Sequence, residues 1–129
     1  MRVGVQAVHE LRLSGRSVGL RVRYATGFWS RLIGFWPAPR WHAVDAIVFP
    51  GCSSVHTFGM TQRVDVVFVG HQGCIVRTAA SVAPWRVLSD ARARLVVEFR
   101  PGLASGLGVV PGEVLEVTNR YRSSVALRR

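Results

Sequence analysis

The sequence predicts a mainly β domain, barrel-like or sandwich-like, with six or seven short strands and one or two short helices. Its 129 residues, of which 49% are hydrophobic and 19% charged, suit one globular domain with a real hydrophobic core. Short alternating or continuously apolar segments recur along the chain, and glycine or proline separates them. One stretch alone shows a clear helical period. Together these observations favour packed sheets over a helical or α/β fold.

The first elements lie between residues 18 and 36. Residues 18–24 place an apolar side chain at every second position, which is typical of a half-buried strand. Residues 26–36 carry large apolar side chains at helical spacing, and Thr26 can cap their start. We therefore predict one short amphipathic helix, which Pro37 ends.

The rest of the chain reads as strands and turns. The predicted strands are residues 45–50, 54–60, 64–70, 74–79, 93–99 and 113–118. Glycines on both sides of His71–Gln72 predict a tight hairpin. The glycine-rich residues 100–112 read as turn structure that holds about one helical turn.

These elements define a single domain over residues 18–118. Residues 1–17 are predicted to be an N-terminal extension, and residues 119–129 a basic C-terminal tail. No apolar run approaches the ~20 residues that span a bilayer. The start lacks a secretory signal pattern, so a cytoplasmic location is expected.

The net charge of +10 raises the question of an anionic partner. All 17 basic residues are arginine, a pattern that GC-rich codon usage also produces, and most are scattered along the chain. This scatter argues against nucleic acid as the ligand, while peripheral membrane contact stays compatible with the basic tail. The pairs Arg40–Trp41 and Trp85–Arg86 resemble stacking platforms, but we expect the tryptophans to pack in the core or at its edge.

The stretch "CSSVHTFGM" places Cys52, His56 and Met60 four residues apart, and Asp65 follows. On a helix the first three would form a soft-metal site, but the stretch is rich in poor helix formers. On a strand, Cys52 and His56 would be roughly 13 Å apart, too far for one ion. We therefore predict no metal or cofactor, and these three residues are the candidate ligands if a metal does bind.

A hairpin turning at Thr61–Gln62 would place His56 diagonally opposite Asp65. The carboxylate could then orient the imidazole, or the pair could simply satisfy two polar groups in a buried sheet. Cys52 as nucleophile would complete a set of candidate catalytic residues, Cys52, His56 and Asp65. The two cysteines, Cys52 and Cys74, are expected to remain thiols.

Several motifs in one order resemble the prokaryotic domain of unknown function 192 family. They are "RLIGF", "CSSVHTFGM", "VDVVFVGHQG", "PWR", "VVEFRPG" and "VVPGEVLEV", and they span roughly residues 20–118. The resemblance implies a compact, mostly β domain without an established activity. It also implies a possible setting, since many members carry an export signal or lipoprotein leader and some lie near pilus or secretion genes.

The positions that match the family's central motif are Cys52, His56, Met60 and Asp65. The sequence departs from the family in the hairpin turn, where Gly70–Gly73 lacks the usual acidic residue, and at Phe99–Gly102, which replaces Leu-Pro-Ala-Gly.

Three functions follow as hypotheses. The first is a non-enzymatic domain that binds a protein partner or a small ligand, with a link to the cell envelope or to pilus or secretion systems implied by the resemblance. The second is a Cys/His enzyme or soft-metal binder that uses Cys52, His56 and Asp65. The third is electrostatic binding of nucleic acid or membrane through the tail.

Overall fold

A computed structural model describes residues 9–25, 44–58, 60 and 62–119 of the chain. Ten strands lie in these residues: β1 (His9–Leu13), β2 (Arg16–Ser17), β3 (Val22–Tyr24), β4 (Ala46–Pro50), β5 (Ser54–His56), β6 (Val64–Val69), β7 (Ile75–Val82), β8 (Val87–Ser89), β9 (Leu95–Phe99) and β10 (Leu115–Asn119). One short helix, α1 (Leu103–Gly106), and a 3-10 turn, His71–Gly73, complete them.

The strands form three sheets, which confirms the mainly β prediction in its sandwich form. A terminal sheet has the order β10-β1-β2, a central sheet the order β3-β4-β9-β6-β7, and a ribbon pairs β5 with β8. The sheets do not close into a barrel. The predicted N-terminal extension, residues 1–17, contributes β1 and β2, and β1 pairs with β10 along its whole length.

The inner strands of the central sheet are buried on both faces because nearly all their side chains are apolar, with Asp65 and Glu98 as the exceptions. On one face, Val48, Val67 and Val97 join a first core cluster with Leu11 and Leu115 of the terminal sheet. The terminal sheet therefore covers this face.

The opposite face of the central sheet carries a second core cluster. Ile47, Val66 and Phe68 belong to it, and Val55 and Leu88 of the ribbon pack against it. The ribbon is thus the outer layer on this side, and its own outer face is turned away from the core.

Local turn predictions are confirmed. The hairpin from β6 to β7 runs through Gly70–Gly73, and the Gly70 amide donates to the Cys74 carbonyl at 2.7 Å. Gly73 has φ +79, and a Cβ there would lie 3.1 Å from the Leu115 carbonyl oxygen, so the turn needs glycine. The predicted helical turn within residues 100–112 is α1.

The first predicted strand is shorter than expected. Of residues 18–24, only Val22–Tyr24 form a strand, which runs parallel to β4. Gly19, with φ +61, interrupts the extended backbone before it. The predicted helix at 26–36 and the tail beyond Asn119 lie outside the described residues.

Candidate functional site

The ribbon presents one face to the core and one to solvent. Val55 and Leu88 are opposite each other and pack on the second core cluster. Successive side chains on a strand alternate, so the next pair, His56 and Val87, lies on the outer face. Both are exposed.

Two aromatic side chains extend this outer face. Phe58 follows β5 and Trp85 precedes β8, and their rings stack at a centroid distance of 5.5 Å with planes 28° apart. The His56 ring lies 4.9 Å from the Phe58 ring. Phe58 is 45% exposed, Trp85 66% and Val87 65%. We call His56, Phe58, Trp85 and Val87 the aromatic patch.

Thr57 fixes the two loops that carry the rings. Its side chain is fully buried, and its hydroxyl donates to the Ala83 carbonyl at 2.9 Å and accepts from the Arg86 amide at 2.8 Å. The Thr57 amide donates to the Arg86 carbonyl at 2.9 Å, and the Trp85 amide donates to the Thr57 carbonyl at 3.0 Å. Phe58 and Trp85 are therefore held relative to each other by backbone bonds as well as by stacking.

Trp85 has φ +66, the left-handed region that bulky residues avoid. It follows Pro84, and in a type II turn the residue after proline has positive φ and is usually glycine. A bulky residue in this conformation costs about 1–2 kcal/mol. The hydrogen bonds that Trp85, Ala83 and Arg86 make with Thr57 hold the Trp85 backbone in this strained conformation. Packing in the core does not explain this strain, because the Trp85 ring is exposed.

An exposed arginine lies beside the patch. The Arg86 side chain is exposed and has no ion pair within the described ranges. The chain's seven acidic residues are Glu10, Asp45, Asp65, Asp90, Glu98, Glu113 and Glu116. Asp65 and Glu98 are buried, Asp45 and Asp90 pair with arginines, and the three others belong to β1, β10 or the turn before β10. None lies on the outer face of the ribbon.

The structure places Cys52 and Met60 at the second core cluster and His56 on the exposed face of the ribbon. Cys52 lies between β4 and β5, packs against the second core cluster, and approaches the Pro50 carbonyl with its thiol at 3.7 Å. Met60 belongs to the same cluster and is 7% exposed. His56 is exposed, and its Nδ1 accepts the Phe58 amide at 3.3 Å. Cys52 and Cys74 are not disulfide-bonded.

The predicted hairpin between His56 and Asp65 is wrong. β5 pairs with β8, whereas β6 pairs with β7 and β9. The physical reason is burial: every side chain of β6 is buried, so β6 lies inside the central sheet with a strand on each side, while β5 has only Val55 to bury. Such pairing between distant segments is invisible to a local turn signal.

Asp65 instead binds backbone amides. Its Oδ1 accepts from Ser81 at 2.8 Å, and its Oδ2 accepts from Gly102 at 2.9 Å and Ala104 at 3.2 Å. Asp65 is 1% exposed. Its carboxylate thus joins β6 to the bulge in β7 and to the start of α1.

No group of three or more His, Cys, Asp or Glu side chains in the described parts of the chain is arranged to hold a metal ion. The described residues do contain a small, open pocket between β7 and α1, lined mostly by apolar side chains. Asp65 lies at its wall, with its carboxylate already bonded to the backbone.

Glu98 is a buried carboxyl group that the sequence analysis did not single out. It lies on β9 between Ile47 and Val66, on the side of the second core cluster, and is 3% exposed. No hydrogen bond or ion pair to its side chain is found among the described residues. Burial raises its pKa to about 8.

Asp45 joins the edge of the central sheet to its middle. Arg21 donates to both oxygens of Asp45, at 3.0 and 3.2 Å from its side chain, and Arg100 donates at 3.1 Å. The hydrogen bond from Arg21 is the main reason that the Asp45 pKa is lowered. This cluster ties β3 to the end of β9.

The comparison with protein families decides the relationship. The sequence matches the domain of unknown function 192 family (DUF192), described as an "Uncharacterized ACR", over residues 10–117. The chain belongs to this family. The resemblance read from the motifs is confirmed, and no curated protein matches the sequence.

Solved structures resemble this DUF192 domain in fold. A protein of unknown function from Novosphingobium aromaticivorans DSM 12444 is 23% identical with a TM-score of 0.70, and the match covers 83% of each chain. A putative transcription regulator from Sinorhizobium meliloti 1021 is 23% identical with a TM-score of 0.73, and the match covers 88% of this chain and 96% of that one. In the described residues, no helix is long and apolar enough to cross a membrane.

Sequence reasoning missed most of the patch in this DUF192 domain. The sequence predicts Trp85 of the "PWR" segment in the core or at its edge, whereas the structure exposes it. The sequence does contain a signal for Glu98: it lies within the apolar stretch "LVVEF", and a glutamate is rarely buried among apolar residues without a special reason. The hydrogen bonds of Thr57 could not be predicted from the neighbouring sequence, because their partners, Ala83 and Arg86, lie 26 and 29 residues further along the chain.

Proposed function

We propose that this protein is a non-enzymatic binding domain, and that a partner or ligand with a flat, apolar face docks on the aromatic patch. The observation that carries the proposal is Trp85, which is two-thirds exposed, strained at φ +66 and stacked on Phe58.

Binding explains both the exposure and the strain. Large exposed aromatic side chains are typical of the residues that dominate binding energy at interfaces. A ring that is already fixed loses little conformational freedom when a partner arrives, so affinity rises. Thr57 supplies this fixation through its bonds to Ala83 and Arg86.

The proposal is tested with a label on tryptophan. Protein containing 5-fluorotryptophan gives one fluorine resonance for each of the four tryptophans, and a Trp85→Phe variant assigns that of Trp85. The probes are a short oligothymidylate, a neutral chitin oligosaccharide, an acidic proline-containing peptide, and vesicles of phosphatidylcholine with phosphatidylglycerol.

We expect at least one probe to shift the Trp85 resonance saturably. Phe58→Ala should weaken that binding at least tenfold, because it removes the ring on which Trp85 stacks. Val110→Ala is the matched control, since Val110 is 47% exposed but lies away from the ribbon. The proposal is wrong if no probe moves the Trp85 signal, or if both variants bind equally.

The alternative, a thiol enzyme or soft-metal site using Cys52, His56 and Asp65, makes a different prediction. It requires Cys52 and His56 to be coupled, so the rate of Cys52 alkylation against pH should change with His56→Ala in a Cys74→Ser background. We expect no change, because Cys52 packs toward the core and His56 is exposed on the ribbon. A loss of reactivity in the His56 variant would favour the enzyme.

A further inference from the structure

We infer that the aromatic patch and Arg86 together bind single-stranded nucleic acid. An unpaired base would stack on the exposed surface of Trp85, and a backbone phosphate would lie beside the Arg86 guanidinium. The inference rests on the proposed function and names the class of its ligand.

Trp85 has the properties of a base-stacking platform. Its indole is backed by Phe58 and leaves 66% of the residue's surface accessible. Every nucleobase has a flat face, so stacking on such a ring tolerates any sequence. A fixed ring orientation serves stacking, whereas insertion into a lipid interface does not require one.

Charge selects nucleic acid among flat ligands. Arg86 precedes β8, and the Arg77 side chain donates to the carbonyl of Ser89, the last residue of that strand, at 3.0 Å. The Arg77 guanidinium, however, lies 5.4 Å from the ring of the buried Phe68, and its charge acts on Asp90, so Arg86 is the guanidinium exposed beside the patch. Because Arg86 forms no ion pair within the described residues, its guanidinium complements a phosphate rather than a neutral sugar or a basic peptide.

The structure also answers the objection raised by the sequence. The arginines are scattered along the chain, but a stacked base with its phosphate needs only one guanidinium beside the ring, and Arg86 directly follows Trp85. Trp85, expected to pack in the core or at its edge, is instead exposed at the surface.

The test measures the fluorescence anisotropy of labelled oligothymidylate and oligouridylate of about 15 nucleotides, within the usual site-size range. Titrations run at several salt concentrations between about 50 and 200 mM. Trp85→Gly removes the ring and suits the positive φ, so the loop should keep its conformation. Arg86→Ala tests the phosphate contact, and Arg16→Ala on β2 is its matched control, an exposed arginine on the terminal sheet.

We expect Trp85→Gly to weaken binding at least tenfold at every salt concentration. Arg86→Ala should weaken binding several-fold and reduce the slope of log affinity against log salt by about 0.7, the loss of one phosphate contact. Arg16→Ala should leave both unchanged. A preference between the two oligonucleotides would separate RNA from DNA as the natural ligand.

Two results would overturn the inference. If Arg16→Ala and Arg86→Ala weaken binding equally while Trp85→Gly does not, the attraction is diffuse and no site exists. If neither oligonucleotide binds but the peptide, sugar or vesicles shift the Trp85 fluorine signal, nucleic acid is the wrong class and the proposed function stands.

Discussion

Thr57 combines a fully buried hydroxyl with two neighbours in sequence that are exposed, His56 and Phe58. In an ordinary β-turn the Ala83 carbonyl and the Arg86 amide would bond to each other. Here the Thr57 hydroxyl lies between them and bonds to both. One side chain therefore determines how the surface beside it is arranged. The exposed residues contact a ligand, and the buried one positions them.

Thr57→Val should destabilise the protein by about 2 kcal/mol, because it keeps the shape of the side chain but leaves the Ala83 carbonyl and the Arg86 amide without a partner. Urea unfolding measures this as a lower midpoint with an unchanged slope. The control is Thr118→Val, whose hydroxyl makes only a long 3.5 Å bond to the Glu10 carbonyl. Equal losses in the two variants would mean that the loop bonds contribute nothing particular.

At the scale of elements, local sequence signals predicted the turns well. The pairing of strands that are distant in sequence could not be predicted from them. The glycines around His71–Gln72 dictate a turn whatever the rest of the chain does, so the hairpin from β6 to β7 was readable. β9 lies between β4 and β6 in the central sheet although 25 residues, 70–94, separate the end of β6 from its start. That choice depends on which strands are apolar on both faces, and no turn motif encodes it. The patch was hidden for the same reason, since β5 and β8 meet only in the folded chain.

Asp65 shows what a buried carboxylate contributes to the joining of elements. Asp65→Asn would replace one acceptor oxygen by an NH₂ group that faces backbone amides. We expect a loss of about 2–3 kcal/mol in the free energy of unfolding. Hydrogen exchange should also become faster at Gly102 and Ala104, whose amides bond to one oxygen of Asp65.

Asp90→Asn provides the comparison for Asp65. Asp90 pairs with the exposed Arg92 on the surface, where solvent weakens such pairs, so its substitution should leave exchange in α1 untouched. If the two variants gave the same exchange rates in α1, Asp65 would not be the link between β6 and that helix.

At the scale of the whole molecule, charges of opposite sign are separated between surface and core. Arginines dominate the exterior, while three of the seven carboxyl groups, those of Asp45, Asp65 and Glu98, are buried. Asp65 is satisfied by three amides, but Glu98 faces an apolar cluster. The net charge therefore supports encounter with an anionic ligand, and the buried glutamate makes stability depend on pH.

Glu98 should make the protein less stable as the pH rises. Its pKa is raised by burial from 4.5 to about 8, so between these values the folded protein keeps a proton that the unfolded chain releases. The free energy of unfolding then falls by about 1.4 kcal/mol per pH unit across this window and levels off above it. Asp45, whose pKa is lowered mainly by its bond to Arg21, acts at the other limit, because its contribution is lost as the pH falls below its ordinary value. Stability should therefore be greatest in the mildly acidic range.

Glu98→Gln separates this effect from the rest of the molecule. The neutral amide cannot ionise, so urea unfolding at a series of pH values should show the slope flattened between pH 4.5 and about 8, with the variant more stable than the wild type at the upper end. Glu116→Gln, at an exposed position of β10, should keep the wild-type profile. If Glu98→Gln kept that profile too, the carboxyl group would have to be ionised inside the fold and held there by a compensating charge. The sheet would then be organised around an ion pair and not around a protonated acid.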